Sequence, residues 1–170
     1  LFSLAASVVF AGAYAGGFAA CVCALTRPRE GVGRVIVVAA LWVAWELARA
    51  RLLTGDPWLL LGYALVPDVH LAQLADVGGV YVLSFVVMIV NAAIAQLVVS
   101  RSPPAWRAAA CAGCVVIATY GYGAVRLHTP LPDAPSVPVA VIQGNNDLGT
   151  QWRAEYYGQG LDLYLRMSTQ

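Results

Sequence analysis

Two opposite charges stand three residues apart in a stretch that is mostly apolar. Glu46 and Arg49 lie within residues 32–53, a run made mostly of Val, Ala, Leu and Trp. Residues three apart share a helix face, so the two can meet as an ion pair. At the centre of a bilayer an Asp, Lys or Arg costs roughly 2.5–3.5 kcal/mol, and a Glu is expected to cost about as much. Each charge lowers that cost for the other, so the sequence predicts a Glu46–Arg49 pair with a functional purpose. Thr54-Gly55-Asp56-Pro57-Trp58 then breaks the helix. Gly55 permits a positive φ, Pro57 cannot continue a helix, and Trp58 suits a membrane interface. Trp42, Glu46, Arg49, Gly55, Pro57 and Trp58 together form the candidate motif. A plainer reading makes it a helix end, with Arg49 and Arg51 snorkelling, Glu46 only satisfying Arg49, and Trp58 only marking the interface.

The elements that must position this motif are membrane helices. Hydrophobic residues make up 60% of the chain and charged residues 11%, against about 25% charged in a soluble domain. Mean hydropathy is +0.71. A net charge of +1 gives no reason to expect a nucleic-acid partner. All ten basic residues are Arg. Cys21, Cys23, Cys111 and Cys114 fall in apolar helical stretches and read as small packing residues. His70 and His128 are too distant in sequence to complete a metal set with them, so no metal or cofactor site is expected. The chain opens on Leu1 without a basic leader, and both ends read as cuts through a longer protein.

Four spans are expected, at about 1–25, 32–53, 79–99 and 105–125, within a helical region 1–126. Each approaches the roughly 20 apolar residues that cross a bilayer. Gly12, Gly16 and Ala20 form a small-residue face for close helix approach. Asn91 is expected to hydrogen-bond across helices. Pro103 and Pro104 fit a helix start. The first and third loops carry Arg27, Arg29, Arg34, Arg101 and Arg107. By the positive-inside rule that side is cytoplasmic, and the loop 54–78 and everything after Arg126 face outward.

Residues 127–136 form a proline-rich, semi-rigid linker. The pattern then changes. Residues 137–142 read as a short buried strand, Gln143-Gly144-Asn145-Asn146-Asp147 as a turn, and 151–167 as an amphipathic helix. The stretch 137–170 thus reads as the truncated start of an α/β domain, too short to bury its own core. The fold expected is a membrane all-α bundle of about four transmembrane helices, followed by the first strand and helix of an α/β domain.

Two stretches in this order resemble bacterial apolipoprotein N-acyltransferase. The first is Leu41-Trp42, Glu46, Arg49, Thr54-Gly55, Pro57-Trp58 and Gly62-Tyr63, followed by Gly79-Val80-Tyr81 and Ser84-Phe85. The second is Val141-Ile142-Gln143-Gly144-Asn145 with Trp152 after it. Asp56 and Asn146-Asp147-Leu148 depart from the usual family pattern, which bears on local loop geometry. The resemblance implies a nitrilase-type (CN hydrolase) domain outside the cytoplasm of a bacterial inner-membrane protein. It implies acyl transfer from a membrane phospholipid to the N-terminal diacylglyceryl-cysteine of a lipoprotein, by a Glu-Lys-Cys triad and without a cofactor. With no Lys in the chain and all cysteines in spans, that triad is expected beyond Gln170, so the segment by itself is expected to be inactive. The resemblance also makes Trp152 a candidate lipid- or substrate-contacting residue. The competing reading is a non-catalytic membrane scaffold or a transporter fragment with an extracytoplasmic tail; a transporter favours internal repeats, and none is convincing here.

Overall fold

Apolar runs of this length leave the backbone little choice but helix, because every amide must find a partner within the segment. The computed structural model describes residues 2–27, 30–52, 55, 58–130, 139, 141, 143 and 157–168. It divides into two units, Leu1–Pro130 and Leu131–Gln170.

The first unit holds α1 (Phe2–Thr26), α2 (Val32–Arg51), a 3-10 helix (Leu61–Leu65), α3 (Val69–Ala72), α4 (Ala75–Ser100) and α5 (Pro103–His128). The expected spans all appear as helices, within a few residues of the expected bounds. α5 begins as its sequence suggests, with two prolines in the first turn and the Ser102 hydroxyl accepting from the Ala105 amide. α4 starts earlier than expected, at Ala75, and is interrupted at Gly78 (φ −155°) and Gly79 (φ +64°). Only glycine takes the second of these angles at little cost.

Three helices are long and apolar enough to cross a membrane: α1 from Val8, α4 and α5. α2 does not meet that composition, because Arg34, Glu46, Arg49 and Arg51 lie within its 20 residues. Its position explains how it carries them. α2 packs against α1, α4 and α5. Val35, Ala39, Ile89, Ala93, Ala108 and Ala112 form the core where α2, α4 and α5 meet. Small residues dominate because helices in lipid associate by close packing rather than by hydrophobic exclusion.

Three expectations are corrected here. Gly12 and Gly16 have nothing within contact range of a notional side chain. α1 instead approaches α2 at Gly17, where a Cβ would meet the Trp45 ring at 2.6 Å. Asn91 bonds to the Val87 carbonyl of its own helix rather than across helices. Cys23, Cys111 and Cys114 are exposed on the bundle surface rather than packed inside it.

In the second unit α6 spans Tyr157–Ser168. It is shorter than the expected 151–167 helix, whose first turns lie outside the described residues. Among the described residues there is no strand. The strand expected over 137–142 lies outside them except for Val139 and Val141, which are exposed. Pro57 and Trp152 also lie outside the described residues.

Candidate functional site

The C-terminal third of α2 holds the one carboxylate buried in the first unit's described interior. Glu46 is 3% exposed. Its Oε1 accepts from the Trp42 indole N–H at 2.9 Å and from the Leu61 amide at 2.7 Å. The expected partner was the Arg49 guanidinium. Arg49 instead reaches the Leu59 carbonyl, with Nη2 donating at 3.4 Å. The sequence argument held that a buried carboxylate needs a partner, which is correct. It could not see that an indole one turn back on α2 and a backbone amide from the following loop would take the carboxylate instead of the cation.

That loop is a platform with a specific hydrogen-bond problem. The first amides of any helix have no partner within it. The 3-10 helix begins at Leu61, and Leu60 before it supplies no side-chain cap. The Leu61 amide is capped by Glu46 from α2. The next amide, of Gly62, donates to Ser84 Oγ of α4 at 2.8 Å. Side chains from two long helices, α2 and α4, therefore cap successive amides of one loop helix. A buried donor left without a partner costs about 1–3 kcal/mol, which is the physical reason for polar residues here. Gly62 is itself fixed by the approach: a Cβ would meet the Val80 carbonyl and the Ser84 amide.

Backbone geometry sets which side chains face outward. Gly55 has φ +70°, as its sequence context suggested. Leu59 has φ +57°, a left-handed angle that costs roughly 1–2 kcal/mol in a residue with a Cβ. This turn exposes Trp58 (75%) and Leu59 (88%) while Leu60 is buried at 5%. Trp58 is thus an outward-facing aromatic on the platform rim.

The far end of the loop is clamped to α5. Asp68 caps α3, accepting from the His70 and Leu71 amides. The His70 ring stacks on Tyr120 at 4.6 Å. Asp76 Oδ2 meets Arg126 Nε at 2.8 Å and accepts from the Tyr122 hydroxyl. The backbone of α3 lies so close to α5 that a Cβ at Gly123 would meet the His70 carbonyl.

Beside Glu46 an aromatic cleft of about 230 Å³ opens between α1 and α2, lined in part by Phe10, Tyr14, Phe18, Trp45 and Arg49. Trp42 meets Phe18 edge-on at 5.0 Å, and Trp45 meets Tyr14 at 5.7 Å. Of the candidate residues, the structure brings Trp42 and Glu46 together and sets Arg49 and Trp58 against the same loop. Sequence reasoning missed Ser84, Gln96, Gly123 and the Asp76–Tyr122–Arg126 cluster as positioning residues. Ser84 was visible as a polar residue in an apolar span and as part of the Ser84-Phe85 pair of the resemblance, and neither shows which amide it caps. The arrangement positions a surface; among the described residues it assembles no nucleophile with a base.

Residues 1–93 match the apolipoprotein N-acyltransferase N-terminal domain family. The chain is 34% identical to an apolipoprotein N-acyltransferase of Geobacter metallireducens over 162 residues, 91% of this chain and 31% of that protein. It is 33% identical over 132 residues to the enzyme of that name from Nitrosomonas europaea, covering 77% of this chain and 26% of the relative. For the Pseudomonas putida protein the figures are 34% over 146 residues, 85% and 28%. The chain thus spans about a quarter to a third of the length of these relatives. A helical unit whose α2 carries the Glu46 cap, matched over more than half its residues by one family, is no generic bundle: the chain belongs to the apolipoprotein N-acyltransferase family, over that family's N-terminal domain.

Proposed function

We propose that the complete protein transfers an acyl chain from a membrane phospholipid to the N-terminal diacylglyceryl-cysteine of lipoproteins, and that this region is the platform beside which transfer occurs. The observation that carries the reading is the likeness to the Geobacter metallireducens enzyme over 91% of this chain. The Glu-Lys-Cys triad is assigned to sequence following Gln170, and residues 137–170 to the opening of its nitrilase-type domain. α2 is assigned as a fourth span: 20 residues at 1.5 Å each give about 30 Å, the thickness of the hydrocarbon core. The Arg-rich loops are assigned to the cytoplasmic side of a bacterial inner membrane, and the platform and the catalytic domain to the outer side.

The geometry supports a platform role. Donor and acceptor both reside in the outer leaflet, and a domain held against that leaflet meets them in a confined layer. The exposed Trp58 and Leu59 give the platform an apolar rim suited to that layer. Trp152 is assigned contact with an acyl chain or lipoprotein near the domain's start.

Complementation tests the activity. In a strain depleted of its own N-acyltransferase, the full-length gene is expected to restore N-acylated lipoproteins by mass spectrometry, and the 170-residue segment is not. Restoration by the segment alone would end the assignment of the triad. Topology is tested in the same strain with a membrane-impermeant thiol reagent. Val66→Cys is expected to label on intact cells and Arg27→Cys only after lysis; the reverse pattern would invert the orientation.

A further inference from the structure

At the opposite end of the bundle from the platform, α1 and α4 both pack on α2 and leave a groove between them. It encloses about 200 Å³. Val22 of α1, Val35 and Val38 of α2, and Ala92, Ala95 and Val99 of α4 give it apolar walls. Its polar end holds Glu30, Arg34, Gln96 and Ser100.

Gln96 is the unusual member. It is 5% exposed, on a helix otherwise fit to lie in lipid. Its Oε1 accepts from the Gly31 amide at 3.1 Å, which caps the start of α2. Gln96 is part of the groove wall, and its Nε2 is buried within that wall without a partner. A buried amide donor left unpaired costs about 1–3 kcal/mol, a cost that an acceptor entering the groove relieves once the side chain turns toward it. The carboxylate that shares this end is engaged: Glu30 Oε2 accepts from the Ser102 hydroxyl at 2.9 Å, and Ser102 in turn meets Ser100. Arg34 is the cation that lines the groove.

We infer that this groove binds an anionic phospholipid of the Arg-rich leaflet, its phosphate taken by Arg34 and Gln96 Nε2 and one acyl chain laid along Val22, Val38 and Ala95. Three features select that occupant. A phosphate oxygen is an acceptor, which is what Nε2 lacks. The charge around the site favours an anion, with Arg27, Arg34, Arg101 and Arg107 at this end against Glu30 among the described residues. The walls open sideways toward lipid, with Val99 84% exposed at the rim. Basic pockets between spanning helices on the cytoplasmic side hold anionic headgroups in just this way. The site lies at the other end of the bundle from the platform, so it is separate from the acyl donor of the proposed reaction. It would tie α1 to α4.

The test uses the complete protein, stripped of lipid in detergent and titrated with dioleoylphosphatidylglycerol, with dioleoylphosphatidylcholine as the neutral control. Native mass spectrometry reads retained lipid, and the lipid-free melting temperature reads folding. Gln96→Glu keeps the Oε1 acceptor for Gly31 and replaces the donor by an oxygen. It is expected to weaken retention of phosphatidylglycerol about tenfold or more. Arg34→Gln is expected to weaken it about fivefold. Arg107→Gln, at the same end but outside the groove, is expected to change it less than either. Any other ranking overturns the proposal, as does equal retention of phosphatidylcholine. If Gln96→Glu does not fold, the ranking of Arg34→Gln against Arg107→Gln decides alone. Acyl transfer is not measured, so failure here leaves the proposed function untouched.

Discussion

Glu46→Leu is expected to cost roughly 2–6 kcal/mol of stability, because it strips the partner from two donors at once. The Trp42 indole and the Leu61 amide both end on Glu46 Oε1. An unpartnered buried donor costs about 1–3 kcal/mol, and there are two. Glu46→Gln retains an oxygen at that point and is expected to lose far less. That ordering separates the present reading from an ion pair, in which Gln would be nearly as damaging as Leu. Trp42→Phe removes one donor with its acceptor intact, and the Trp42→Phe, Glu46→Leu double variant is expected to be less destabilised than the sum of the two. Unfolding of the complete protein in detergent, with double-mutant-cycle arithmetic, measures all four. A Glu46→Leu protein as stable as the parent would mean that the cap carries no weight.

Gly123→Ala and Gly121→Ala are expected to move stability in opposite directions, although the positions are two residues apart on α5. At Gly123 the added Cβ meets the backbone carbonyl of His70, which is not the end of a flexible side chain. α3 must lift from α5, and overpacking of this kind costs about 1–3 kcal/mol, occasionally more. At Gly121 a Cβ meets nothing within 4 Å. There the substitution relieves only the helix penalty of glycine, a gain of up to about 1 kcal/mol. Melting temperatures of the two variants against the parent decide the matter. Equal effects would show that α3 does not rest on α5 at Gly123.

The helices were legible because their signals are local. Uncharged runs, a Ser-Pro-Pro start at Ser102 and arginines in the loops each speak within a few residues. The partners were not legible, because they depend on what the fold brings near. Glu46 and Arg49 share a helix face in sequence, yet a loop amide fifteen residues on reached the carboxylate first. The pattern Gly12, Gly16, Ala20 predicted the contact face of α1, but the bulk of Trp45 placed the contact at Gly17. Gln96 and Ser84 looked alike as isolated polar residues in one apolar span. Only their depth and bonding separate a residue that closes a loop from one that leaves a donor over.

The double capping of the platform also sets an order of assembly. Glu46 precedes the loop and Ser84 follows it, so the two caps arrive at different times as the chain is synthesised and inserted. When Leu61 and Gly62 emerge, α2 is already available and the Leu61 amide can be closed. The Gly62 amide must stay with water until α4 enters the bilayer. The platform is then a latch with one half fitted early and the other late, and burial of the loop and pairing of α2 with α4 become one event. A nascent chain arrested before Ser84 has entered the membrane is expected to leave the segment around Trp58 open to protease added on the side that the loop faces. One arrested after α5 has inserted is expected to protect it. Equal cleavage of the two would mean that the loop closes without its second cap.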